Sequence, residues 1–111
     1  MYNQDDLDRL KLILVKIDYI LDICESSIVK ALEDKKITQP AILMHLTSIA
    51  EQFSKIKDKK ILSHFDKSDI KGAIDTRNFI AHDYESVNLS IIEFIIRERL
   101  PIIKNIIQKI I

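Results

Sequence analysis

A chain of 111 residues holds one ordinary domain and not two. With one Gly, two Pro and no Trp it lacks the turn punctuation of an all-β fold, and 47% hydrophobic residues suffice for a core, so the chain reads as all-α. Its 17 basic and 17 acidic residues cancel, which excludes a general positive field for nucleic acid and leaves any such ligand to a local site.

From Asp6 to about Leu32 the apolar residues Leu10, Ile13, Leu14, Ile17, Ile20, Leu21, Cys24, Ile28, Ala31 and Leu32 recur at three and four residues, as on one face of a helix. Ser26 and Ser27 are a candidate break in it. The lone Cys24 falls within this pattern, reads as a small core residue and excludes an intramolecular disulfide. The acidic opening MYNQDDLDRLK lacks the basic and apolar regions of a signal peptide, and no apolar run approaches the ~20 residues of a membrane span. A cytoplasmic protein with no membrane partner is expected.

A second helix follows the charged turn EDKKITQP, with Thr38 or Gln39 as its cap and Pro40 in its first turn. Ile42, Leu43, Leu46, Ile49, Ala50, Phe53 and Ile56 form its apolar face. The stretch KDKKILSHFDKSD reads as charged and irregular. Asp66, with Asp69 three residues on, then opens a third helix predicted over about Lys67 to His82. A last helix begins at Asn88 or at the capping box Ser90-x-x-Glu93, runs to the end on a stripe of isoleucines, and should be kinked by Pro101. Short connections favour an antiparallel bundle of four to five helices forming a single domain over residues 1–111.

The chemistry gathers in RNFIAHDY, residues 77–84. At about 100° per residue, Arg77 shares the third helix's apolar stripe with Ile70, Ile74, Ala81 and Tyr84, so the spacing puts a guanidinium in the middle of a face that should be buried. Such a group must be paired with a carboxylate, snorkel past the core or line a cavity. Asp75, Asn78 and His82 form a polar stripe beside it, with Asn78 one turn before His82 and placed to orient its imidazole. His82 and Tyr84 can face one opening only if the helix ends near His82, and Asp83, Glu85, Ser86 and Asn88 are good terminators.

Histidine is suited to proton transfer near neutral pH, and arginine to a phosphate and its developing charge. No carboxylate or Cys/His cluster at metal-ligand spacing accompanies them. The pair suits metal-free cleavage of RNA, which carries its own nucleophile, the 2′-hydroxyl. One chain offers one motif histidine, and a two-fold dimer with the motif at its interface would bring two His82 and two Arg77 together. His45 and His64 are alternatives that lie in ordinary helical or turn contexts.

Arg77-x4-His82-x-Tyr84, with Asn78 after the Arg and an all-α chain of this length, closely resembles the HepT toxins of the HEPN ribonuclease superfamily. The likeness covers most of the chain, and IAEQ at 49–52 stands where that family has an IGEA-like run. Ala50 replaces the family's usual Gly, and an aromatic that often precedes the family's motif is absent, with Ile70 or Ile74 as the nearest apolar substitute. The resemblance implies a HEPN-like homodimer and a metal-independent endoribonuclease acting on RNA such as tRNA or mRNA. His82 would transfer the proton, Arg77 would hold the phosphate, and Asn78 and Asp75 would support them. Glu51, matching the family's helix-two Glu, would contribute to the site or to the dimer, or else be solvated. Products would carry a 2′,3′-cyclic or 3′-phosphate and a 5′-hydroxyl, with no cofactor for cleavage.

The resemblance further implies a type VII toxin–antitoxin system whose antitoxin, an MntA-like minimal nucleotidyltransferase, uses ATP and Mg to place AMP on Tyr84. Bulk and negative charge there would exclude an anionic strand. An alternative of another class is a non-catalytic helical partner of a nucleotidyltransferase, in which the same residues hold a nucleotide or stabilise a dimer. Lysines 55, 57, 59, 60, 67 and 71 are candidates for steering RNA, for meeting the antitoxin, or simply for a solvated face.

Overall fold

Leu10, Ile13, Ile17 and Ile20 follow one another every three or four residues along α1 (Gln4–Ile23), and none of the four exposes any surface. The computed structural model describes residues 2–111, and every regular element among them is helical. The helix does not run through to Leu32. It stops at Ile23, and Ser27 opens a short α2 (Ile28–Glu33) by accepting the Lys30 N–H on its hydroxyl at 3.1 Å.

The next junction corrects an expectation. Neither Thr38 nor Gln39 caps α3 (Thr38–Lys55), which begins with no side-chain cap at all. Both reach back to α2 instead: the Thr38 hydroxyl donates to the Ala31 carbonyl and the Gln39 amide to the Leu32 carbonyl at 2.7 Å. The last carbonyls of a helix lack intrahelical donors, and here they are buried, so satisfying them takes precedence. Pro40 occupies the third position of α3, where its missing N–H costs nothing.

The charged stretch after α3 is also more ordered than its composition suggests. It contains a single helical turn, α4 (Lys59–Leu62), capped by Asp58 through the Lys60 N–H at 2.8 Å. The loop before it is tied to the other end of the chain. Asp6, only 3% exposed, accepts the N–H groups of Lys57 at 3.3 Å and Asp58 at 3.0 Å.

Asp66 caps α5 (Lys67–His82), accepting from the Ser68 N–H at 3.0 Å, and the helix has the predicted limits. Tyr84–Ser86 form one 3-10 turn. Asn88 opens α6 (Leu89–Phe94) by accepting from Ser90 and Ile91, so of the two expected openings Asn88 is the cap, and Glu93 pairs with Arg97 at 3.1 Å. Pro101 is met by a π-turn over Ile95–Arg99, in which the Leu100 N–H reaches five residues back to Ile95, and α7 (Leu100–Ile110) follows. A widened turn is a known way to admit a proline into a long helix.

α3 is central, with α1 on one side and α5 on the other. Arg9 bonds to Gln52 and Tyr19 lies against His45, so α1 and α3 run antiparallel. α7 packs on α1, with Lys104 on Asp18 at 2.7 Å. One continuous core joins α1, α3, α6 and α7, and the edge-to-face rings of Phe53 and Phe65, 5.1 Å apart, carry it under α4. The all-α bundle is the expected class. No helix is long and apolar enough to cross a membrane.

Candidate functional site

α5 buries none of its residues, and this decides what its motif can do. Within one chain its broad packing is on α3, with Asp69 also paired to Arg99, so Ile70 and Ile74 of its apolar stripe are only partly covered. Arg77 is accordingly not the buried guanidinium that the spacing predicts. It sits at the α3–α5 seam with 41% of its side chain exposed, its Nε 4.0 Å from the Glu51 Oε1. At that distance and exposure the pair adds little stability. It does bring Glu51 to the motif, although Glu51 lies off the apolar stripe of α3. Arg77 Nη1 also donates to the Asn78 side-chain oxygen at 3.4 Å, a long bond between neighbours on the helix.

The helix ends at His82, as a shared opening requires. Asp83 leaves helical geometry at φ −151°, ψ 81°, while its N–H still donates to the Phe79 carbonyl at 2.9 Å. The chain then folds back through the 3-10 turn, with the Ser86 N–H on the Asp83 carbonyl at 3.2 Å. This return makes a shallow depression of about 330 Å³ lined by Asp75, Asn78, Phe79, His82, Asp83 and Ser86. The polar stripe of Asp75, Asn78 and His82 thus becomes one wall of an open site, with Asp75 held by Lys71 at 2.7 Å.

Two motif residues stand outside that depression. Arg77 is on the α3 side of the helix and Tyr84 is on the turn, 37% exposed. Partial burial and the neighbouring Glu85 charge hold the Tyr84 phenol above its ordinary value. A single chain therefore presents an imidazole, a guanidinium and a phenol around the end of α5 without closing them on one cavity.

Phe79 and Ser86 were not expected at the site. Phe79 is four residues after Asp75 and three before His82, so the helical spacing that grouped the polar residues also contains it. Ser86 is brought in only by the turn.

The other histidines have structural surroundings: His45 lies 5.3 Å from the Tyr19 ring, and the His64 Nε2 is 3.0 Å from the Tyr2 hydroxyl. Cys24 is buried, and burial raises its thiol. Among the described residues, no three His, Cys, Asp or Glu side chains gather as a metal ion would require. A larger apolar cavity of about 380 Å³ between α3, α5 and the π-turn contains none of the motif residues, and its wall carries the two-pronged Asp69–Arg99 pair at 2.6 and 2.7 Å.

Comparison with curated proteins and with solved structures gave no match. A family model described as "Ribonuclease HepT-like" matches residues 13–110, which takes in all the helices from most of α1 to the end of α7 and the whole of the site. The chain belongs to the HepT-like ribonuclease family.

Proposed function

We propose that the protein is a metal-independent endoribonuclease, the toxin of a type VII HepT/MntA-like pair, whose working form is a homodimer. The observation that carries this is the placement of Asn78 and His82 at an open depression, with Arg77 beside it at the α3 seam, on a helix that buries nothing in a chain of a ribonuclease family. A second copy across a two-fold axis supplies the missing wall and a second His82 and Arg77.

In the reaction one His82 takes the proton of the RNA 2′-hydroxyl, and that oxygen forms a bond to the adjacent phosphorus. The bond from phosphorus to the 5′-oxygen breaks, and the leaving oxygen takes its proton from the other His82. Arg77 neutralises the charge gathering on the non-bridging oxygens. Products are a 2′,3′-cyclic phosphate and a 5′-hydroxyl. Asn78 and Glu51 restrain the guanidinium, and Asp75 borders the imidazole.

Tyr84 is the modification site. Its neutral phenol attacks the α-phosphorus of ATP, pyrophosphate leaves, and the phenolic proton passes to a base of the antitoxin, which supplies the nucleotide and Mg. The AMP so attached stands at the end of α5 and repels a second anion.

The test is cleavage of total RNA and of purified tRNA in EDTA, with product ends analysed, by the wild type and by His82→Ala. Cleavage leaving cyclic or 3′-phosphates, and falling at least ~100-fold in the variant, is the expected result. A folded dimer that bears no AMP and cleaves nothing would make the protein a non-catalytic partner of the nucleotidyltransferase.

A further inference from the structure

The end of α3, the turn of α4 and the start of α5 carry Lys55, Lys57, Lys59, Lys60 and Lys67, against Asp58 and Asp66 in the same span. All five lysines are exposed, and among the described residues none is in an ion pair. Both aspartates are occupied: Asp58 accepts the Lys60 N–H and Asp66 the Ser68 N–H, each capping a helix. With the buried Asp6 carboxylate that holds the Lys57 and Asp58 N–H groups counted as well, five lysines face three carboxylates, a local positive excess in a chain whose net charge is zero. Lys59 and Lys67 also line one concavity of about 290 Å³ with Leu62, Ser63, Phe65 and Ile70, so residues eight apart in sequence meet on one surface.

We propose that this surface is a second RNA contact, one that grips the phosphate backbone away from the His82 end; it rests on the ribonuclease reading above. Two observations favour a nucleic acid over a protein. Protein interfaces are built around apolar or aromatic anchors and are poor in lysine, whereas no large hydrophobic residue between His45 and Asn78 is exposed. The cations are lysines and not arginines, flexible point charges that follow a backbone without reading bases.

The geometry sets the size of the substrate. Lys67 and His82 are the first and last residues of α5, about 22 Å apart at 1.5 Å per residue. Measured against the axial rise of a DNA duplex, ~3.4 Å per phosphate of one strand, that is roughly six phosphates. An RNA that reaches both ends is a folded or extended molecule, and a di- or trinucleotide touches only one.

The experiment uses the full-length protein with His82→Ala, which binds without cutting, and follows a fluorescent tRNA transcript by anisotropy between low and moderate salt. The five lysines are replaced together by Gln and, separately, by Arg, with thermal melting as a control for folding. The Gln protein should bind at least tenfold more weakly at low salt. Its plot of log affinity against log salt should be shallower by about 0.7 to 0.9 for each lysine that touches a phosphate. The Arg protein should keep both affinity and slope.

A slope unchanged by Gln, or a parent that binds no tRNA, overturns the proposal and leaves the lysines to an acidic protein partner. Equal losses in the Gln and Arg proteins overturn it as well, since charge would then not be the cause. The ribonuclease reading fails separately: lysine-dependent binding without cleavage by the wild type would keep this surface and remove the chemistry.

Discussion

α3 and α5 are neighbours of similar length, 18 and 16 residues, and the fold uses them in opposite ways. α3 is flanked by α1 and α5 and buries Gln39, Ile42, Leu43, Leu46, Ile49, Ala50 and Phe53. α5 is defined by Asp66 at one end and the Asp83 break at the other, touches one helix broadly, and buries nothing. The first helix holds the domain together, while the second is held by it and can keep a guanidinium and an imidazole in contact with water. Groups on α5 so placed avoid the several kcal/mol that a fully buried, unpaired charge would cost.

Three substitutions and a titration test that contrast, from the largest expected effect to the smallest. Leu43→Ala, in the middle of α3, should cost about 2–5 kcal/mol in urea unfolding, because a fully packed site closes poorly over the lost atoms. Asp6→Ala should cost about 1–3 kcal/mol by the same measurement, since it strands the Lys57 and Asp58 N–H groups. Phe79→Ala, on α5 and 57% exposed, should stay within about 0.5 kcal/mol. A loss comparable to Leu43→Ala would mean that α5 is as much core as α3.

The smallest effect is that of His45 on α3. Burial first and the Lys16 charge second lower its imidazole from 6.5, so the folded state holds that proton less well than the unfolded chain does. Stability is then complete above 6.5 and declines as pH falls through that value toward the folded one. Melting temperatures across this window should slope gently in the wild type and lie flatter in His45→Gln; equal slopes would remove His45 as the cause.

The contrast between the two helices also explains what the sequence discloses. α5 is readable to the residue because its limits are local: Asp66 caps it, and the polar run after His82 ends it. The cores of α1 and α3 are readable because a three-and-four spacing marks a packed face. Spacing does not say what lies opposite that face. Arg77 falls on a stripe that in one chain is covered mainly by α3, so its predicted burial fails, and Glu51, off the α3 stripe, turns out to be its neighbour. Thr38 and Gln39 have the right chemistry for a cap and serve the previous helix, a choice made by buried carbonyls seven residues away. α4 is one turn long, too short for any periodicity to show. At the site, the polar wall is legible from helical spacing, whereas Ser86 joins it only through the turn that follows.

The π-turn has a consequence for how the molecule opens. Its backbone bonds close over a longer ring, and Pro101 immediately beyond it has no amide proton to contribute. The helical stretch from Leu89 to Ile110 should therefore exchange its amide protons with deuterium as two units rather than one, parting near this turn. The Asp69–Arg99 pair fastens that same turn to the first turn of α5, so Asp69→Asn should quicken exchange around Leu100 more than around Ile107. The helix that carries the candidate site and the long C-terminal helix would then share one clasp, and a disturbance at either would be felt by the other as a change in the rate of local opening.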